Sequence, residues 1–386
     1  MRLLLAVACV CGVAGLGKRP PASSDDELPG GTMRLGSKRL YTPFDLPALA
    51  PFMHRGLPPT QECPTKYLAA VSRHGARFPT AGKWRLLEGL LDEECGASAR
   101  GAEAAAWCTS TRAALASGAA PGDLAPQGRA ELREMAQLVA ARFNATHLGA
   151  AFPLAEARVW TTSSQRTQDS CASFVLEAWP GFPGGAALCA GAVNDALLRL
   201  GSRGKVGADF GDARLVACQL DATLRPSQVA DAAWGYACGD LLRGSAVAVV
   251  AEDEEAHRFF ARGALGPELR SSAGPLLREI HAALAGRPAR LDLFFTHDST
   301  LAPLVALVGL FNVSDLPPAQ SQAAKLFPFA SRLFVDQREC GPIVLEYNGA
   351  ALRIFDDLAH FEATYAQFLH LGVPCGLGDV CTEPRV

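Results

Sequence analysis

The sequence lacks an excess of charge of either sign. Its 36 basic residues stand against 39 acidic ones, for a formal net charge of -3. That removes the broad basic footprint a nucleic-acid surface needs. Lysine is scarce, supplying only 6 of those basic residues, so arginine carries nearly all the positive charge. No third-residue glycine period is present, which excludes a collagen-like rod. No hydrophobic run reaches the roughly 20 residues of a membrane span. The cysteines form no C-x2-C or C-x4-C cluster, so a structural zinc site is not indicated and no metal or other cofactor is expected. Internal repeats and long low-complexity tracts are missing too. What is present is a chain of 386 residues with 49% hydrophobic residues, 37 Gly and 26 Pro. That is globular composition, with length for a real core and two packed units, and too apolar for global disorder.

The 12 cysteines say more. Cys9 and Cys11 fall in MRLLLAVACVCGVAGLGKR, where Arg2 precedes a short apolar run, Leu3 to Val13, and small residues follow. This pattern reads as a signal peptide over residues 1–17. The remaining ten cysteines are spread along the chain and fit an oxidised protein with up to five disulfides; buried free thiols are the alternative. Asn144-Ala-Thr146 and Asn312-Val-Ser314 are candidate glycan acceptors. The terminal EPRV is not a luminal retention signal, so a secreted protein without a membrane anchor is expected.

Residues 18–65 are rich in Pro, Gly and Ser and read as a leader and irregular wrap. Short apolar runs predict strands at 67–71, 158–161 and 291–295, and a hairpin at 332–336 and 343–347. Helices are predicted at 84–91, 102–115, 128–143, 165–178, 252–262, 276–284 and 301–310. In the third of these, Leu132, Met135, Leu138 and Val139 give an apolar stripe. Ser163 and Ser164 are candidate caps for the fourth. The Gly-rich stretch 180–210 reads as loop. Strands early, midway and late, with helices between them, predict an α/β fold: a central, mostly parallel sheet flanked by helices. The domain plan is a core of residues 66–180 and 286–386, with a mainly helical lobe inserted at 181–285.

The strongest local feature is Ser72-Arg73-His74-Gly75-Ala76-Arg77-Phe78-Pro79, directly after an apolar strand. Guanidinium groups offer paired donors that match phosphate oxygens, and a neutral imidazole between them can attack phosphorus. On spacing alone the run is equally a basic surface turn. Two later sites favour the chemical reading. Arg166 sits at a predicted helix start after Trp160-Thr161-Thr162-Ser163-Ser164, where free amides favour an anion. Thr296-His297-Asp298-Ser299-Thr300 follows the apolar strand LDLFF, where a ligand crevice is expected. His297 can donate to a phosphate oxygen. Asp298 can act as acid toward a departing alcohol and then as base for water.

Together these blocks resemble the branch of the histidine phosphatase superfamily that contains histidine acid phosphatases, phytases and multiple inositol polyphosphate phosphatases. The first hallmark is RHGARFP at 73–79 and the second is HDST at 297–300. GDLAPQG at 122–128 and PFASRLFVD at 328–336 resemble supporting blocks, and the likeness spans most of residues 38–381. The resemblance implies that His74 is the nucleophile forming a phosphohistidine and that Asp298 is the proton donor. It further implies that Arg73, Arg77, Arg166 and His297 bind the phosphate, with no cofactor and no metal. It implies the disulfides Cys63–Cys340, Cys218–Cys238 and Cys375–Cys381. Cys95–Cys108 and Cys171–Cys189 are then left as the remaining pairs.

Substrate is less sharply marked. The stretch HDSTLAPLVALVGLF resembles the multiple inositol polyphosphate phosphatases, which usually carry histidine-alanine-glutamate where this chain has His297-Asp298, as phytases and general acid phosphatases do. Lys83 is a candidate contact for a second substrate phosphate, or a solvated helix-start lysine. The expectation is a secreted, monomeric hydrolase of phytate and lower inositol phosphates, with no nucleic-acid partner. A broad acid phosphatase is the runner-up. An inactive phosphate-ligand-binding relative and a mutase-like phosphotransferase are more remote.

Overall fold

The computed structural model describes residues 63–95, 101–199, 213, 216–218, 220, 272–286, 289–309 and 327–369. All of them belong to one compact unit, Arg34–Val386. The expected signal peptide, the leader, Asn312, Cys238, Cys375, Cys381 and the helix at 252–262 lie outside the described residues, as does most of the expected lobe at 181–285.

The described residues open with β1 (Thr65–Arg73), whose run of Val, Leu and Ala is buried on both faces, as a central strand must be. Helices α1 (Ala81–Glu94), α2 (Ala102–Leu115) and α3 (Pro126–Arg142) follow. Pro126 stands in the first turn of α3, where its missing amide costs nothing. Leu132, Met135 and Val139 of α3 are buried, but Leu138 is 42% exposed, so the expected stripe is one residue too wide. Next come β2 (Ala157–Trp160) and α4 (Gln165–Ala178). Ser164 occupies the N-cap position of α4, yet its side chain makes no capping bond, contrary to expectation. The stretch expected as loop contains two short helices, α5 (Gly185–Gly191) and α6 (Asp195–Leu198). They form because tertiary ties override the glycines: Cys189 of α5 is bonded to Cys171 of α4, and Asn194 caps α6 by accepting from the Leu197 amide at 3.1 Å.

The second half holds α7 (Gly274–Leu284), β3 (Leu291–Thr296), α8 (Asp298–Leu307), β4 (Arg332–Arg338), β5 (Ile343–Tyr347), β6 (Ala350–Phe355) and α9 (Leu358–Leu369). The last strand and the last helix are additions to the expected set. Helix α8 begins at Asp298, three residues before its expected start.

The six strands lie in the order β2-β3-β1-β4-β5-β6. The α/β sheet is thus present, and it is mixed: β2, β3 and β1 are parallel, whereas β4, β5 and β6 add antiparallel steps on the other side. Alternate residues of β1 face opposite layers. Tyr67, Ala69 and Val71 pack with α7, α8 and α9, while Leu68 and Ala70 pack with α3 and α4. A third apolar cluster joins α1 and α2 to Phe78 and Ala125. Three disulfides, Cys63–Cys340, Cys95–Cys108 and Cys171–Cys189, match the expected pairs. Cys218 is disulfide-bonded as well. No described helix is long and apolar enough to cross a membrane.

Candidate active site

Parallel pairing brings the two hallmark motifs together. Arg73 at the end of β1 is in register with Thr296 at the end of β3, and the His74 amide donates to the Thr296 carbonyl at 2.9 Å. His74 and His297 therefore leave the sheet side by side, with ring centroids 5.5 Å apart. Beyond His74, the loop lies against the start of α3. The Ala76 amide donates to Glu131 Oε2 at 2.8 Å, and the Ala125 amide donates to the Ala76 carbonyl at 2.9 Å. The contact is so close that a Cβ on Gly75 would collide with the Gly128 backbone, and one on Gly128 with the Ala76 backbone. Both glycines are therefore required by close approach.

His74 is buried, and its Nδ1 lies 2.9 Å from the Gly75 carbonyl. A carbonyl only accepts, so Nδ1 carries the proton and the neutral ring has its lone pair on Nε2. Burial pushes its pKa well below the usual histidine value, and the charges of Arg166, Arg73, His297 and Arg77 push it further down. A neutral imidazole with a free Nε2 lone pair, surrounded by cations, is a nucleophile suited to an anionic electrophile.

Arg73 is fully buried. Its Nη2 is 3.0 Å from Asp298 Oδ2, its Nη1 donates to the Phe327 carbonyl, and its guanidinium lies 4.6 Å from the centre of the Phe329 ring. Phe327 and Phe329 lead into β4, where Ala330 adopts a positive φ of 53° and the Ala330 amide donates to the His74 carbonyl at 3.1 Å. Asp298 opens α8, and its Oδ1 accepts from the Ser299 amide at 2.8 Å. Arg77 donates to the Phe78 carbonyl at 2.9 Å and forms a β-bridge with Leu124.

Arg166, in the first turn of α4, places Nη2 3.3 Å from His297 Nδ1. Burial lowers its pKa; Asp298 opposes the change, and Arg73 and Arg199 add to it. His297 is also buried, with Nε2 3.1 Å from Thr162 Oγ1. Burial, then Arg166, lower its pKa to about 3, with Asp298 opposing and Arg73 and Arg199 reinforcing. His74, Arg73, Arg166, His297 and Asp298 thus converge, and Arg77 acts on His74 through its charge. Lys83 is half-buried in the first turn of α1. Asn144 is exposed in the turn after α3, with a positive φ of 54°.

Two residues escaped the sequence reading. Thr162 was visible only as part of a turn, yet it orients His297. Arg199 follows α6, with Nη1 3.2 Å from Ser163 Oγ and 3.6 Å from Asp195 Oδ2. Its backbone is fixed because Thr296, just before the second motif, and Thr300, its last residue, both donate to the Leu198 carbonyl, at 2.8 and 2.7 Å. No motif signals either role, since each depends on a partner far away in the chain. Among the described residues, no group of three or more His, Cys, Asp or Glu could hold a metal ion.

Residues 66–176, which span the first motif and Arg166, match the family model described as histidine phosphatase superfamily (branch 2). The chain carries a branch 2 histidine phosphatase domain. No curated protein matches it by sequence. Solved structures with the same fold include the Bifidobacterium longum multiple inositol polyphosphate phosphatase in complex with phosphate. That structure has 13% identity and a TM-score of 0.59, over 90% of this chain and 100% of that one. The same protein with inositol hexasulfate has 12% identity and a TM-score of 0.55, over 84% and 93%. The phytase from D. castellii has 14% identity and a TM-score of 0.55, over 87% and 85%. At these identities the likeness is one of fold.

Proposed function

We propose that the protein is a secreted phosphomonoesterase that hydrolyses inositol polyphosphates, phytate among them, through a phosphohistidine. The observation that carries this reading is the state of His74: neutral, protonated on Nδ1 by its bond to the Gly75 carbonyl, and surrounded by cations. In the first step, Nε2 attacks phosphorus. The ester P–O bond breaks, its electron pair stays on the leaving oxygen, and that oxygen takes a proton from the Asp298 carboxyl group. In the second step, the Asp298 carboxylate removes a proton from water, the hydroxyl attacks phosphorus, and the P–N bond breaks to release inorganic phosphate. Arg73, Arg77, Arg166 and His297 hold the non-bridging oxygens in both steps, so charge is stabilised by groups already in place. Lys83 is proposed as a contact for a neighbouring phosphate.

The inositol phosphate preference rests on the fold shared with a phosphatase crystallised with inositol hexasulfate and with a phytase. The His297-Asp298 pair keeps a broad acid phosphatase as the second reading. Secretion is proposed on the disulfides, three of them described in full. A monomer with an inserted lobe at 181–285 completes the proposal.

The deciding experiment incubates purified, disulfide-intact protein with phytate, 2,3-bisphosphoglycerate and a simple aryl phosphate across acidic and neutral pH, resolving the inositol phosphate products. Phosphate release from phytate is expected. Release from the aryl ester alone leaves a broad acid phosphatase; no release from any ester removes the enzyme reading.

A further inference from the structure

We infer that Thr162, held by Thr167, is a positioning residue that fixes the tautomer of His297, so that the pocket takes its phosphate ester as the singly protonated monoanion. The inference rests on the phosphatase reading and adds to it a proton requirement and the residue that imposes it.

The argument starts where hydrogen-bond direction is unambiguous. The Thr167 hydroxyl lies 2.7 Å from the Ser164 carbonyl and 3.2 Å from the Thr162 carbonyl. Both partners only accept, so the single Thr167 proton is committed to them. Thr162 Oγ1, 2.8 Å from Thr167 Oγ1, must then be the donor in that pair. Having donated, it accepts from its other neighbours: the Ser164 amide at 3.3 Å and His297 Nε2 at 3.1 Å. Nε2 therefore carries the proton. The other side of the ring agrees independently. Arg166 Nη2 can only donate, and it lies 3.3 Å from Nδ1, which must present a lone pair. Thr162 and Thr167 are both 0% exposed. Reversing the chain would cost the partly buried Ser164 carbonyl its 2.7 Å donor and leave it only the Thr167 and Gln168 amides, at 3.0 and 3.4 Å.

The charged groups acting on His297 come from every side: Arg166 on α4, Arg73 on β1, Arg199 after α6 and Asp298 on α8, with the His74 ring beside it. Burial and this cationic excess keep the free imidazole neutral. A phosphate held by Arg166 meets the Nδ1 side of the ring. An unprotonated oxygen there would set lone pair against lone pair, whereas a P–OH oxygen donates. The bound pocket thus contains one proton more than the free pocket plus a dianion. The ester brings it, and a phosphomonoester loses that proton near a pKa of about 6.

The test measures KM and kcat of the full, disulfide-intact chain on an aryl phosphate from pH 4.5 to 8. A rise in KM of about tenfold per pH unit above about pH 6 is expected, with kcat changing less. Thr162→Val, which keeps shape and removes the hydroxyl, should flatten that rise and lower kcat/KM at pH 5 by about tenfold. Thr162→Ser should restore both. Nitrogen-15 NMR of the free protein should report His297 protonated on Nε2. A KM indifferent to pH in the wild type, an unchanged profile in Thr162→Val, or an Nδ1-protonated His297 overturns the inference. If the wild type hydrolyses no ester, the phosphatase reading fails, and the NMR tautomer still decides the role of Thr162.

Discussion

The two ends of the parallel strands use arginine in opposite ways. At the end where β1 and β3 stop, Arg73, Arg77 and Arg166 gather around two histidines, with Asp298 as the carboxylate bonded to Arg73. At the other end, arginines are matched by acids. Arg158 bonds to Asp292 and Glu279 and lies over Trp160, and the Tyr67 hydroxyl donates to Asp292 at 2.6 Å. Nearby, Arg142 bonds to Asp336 and Glu346, and Arg338 to Asp336 at 2.7 Å. The proton affinities follow. Burial works against the charge of Arg142 and Arg158 as it does for Arg166. At the far end the carboxylates outweigh it and raise the pKa, while Arg166 stays lowered. Arg142 and Arg158 thus sit among carboxylates that outweigh the cost of burial, whereas around Arg166 the charge of Asp298 is offset by those of Arg73 and Arg199.

Substitutions at the two ends should separate these roles. The largest effect is expected from His74→Ala, which removes the proposed nucleophile and should lower kcat by at least about 10^4-fold with little change in the melting curve. Full turnover in that variant would break the comparison at once. Asp336→Asn, at the far end, should do the reverse. It leaves Arg142 and Arg338 short of a buried partner and should cost about 3–5 kcal/mol of stability, read by denaturant unfolding, while kcat is kept. A catalytic defect without a stability loss would mean that the far end is not merely structural.

The smallest effect concerns pH. The folded pKa values of His74 and His297 are depressed, so the unfolded chain takes up protons below about pH 6.5 while these two stay neutral. Their contribution is fully present above that pH and is lost as pH falls, for His297 toward about 3. About 2 kcal/mol of stability should go by pH 5 for His297. Calorimetry across this range, with and without sulfate, should show a shallower loss when the anion is bound. A loss unaffected by His297→Asn would assign it elsewhere.

Much of this was legible because the signals are local. The apolar runs at 67–71 and 291–295 end in polar motifs that parallel strands must place together. The antiparallel side was read incompletely. Asn348-Gly349 have φ values of 48° and 87°, the left-handed pair a tight hairpin requires, and that dipeptide is itself a strong hairpin signal. Strand β6 beyond it went unread because Arg353 interrupts its apolar run. Helices α5 and α6 could not be read from composition, since a disulfide and a cap hold a Gly-rich segment in place. The roles of Thr162 and Arg199 were hidden for a different reason. Thr162 meets His297, and Arg199 is placed through the Leu198 carbonyl, which accepts from Thr296 and Thr300; no local pattern encodes those partners.

The position of β1 bears on how the protein is made. It is an interior strand, yet its partners come late: Leu68 pairs with Leu291 on one side and Asp336 on the other. At ribosomal speeds of about 5–20 residues per second, roughly 10 to 45 s pass between synthesis of β1 and arrival of β3. Throughout that interval an apolar strand has both edges open to pairing with other nascent chains. The strand that leads to His74 is therefore a segment in need of chaperoning before the polypeptide is finished.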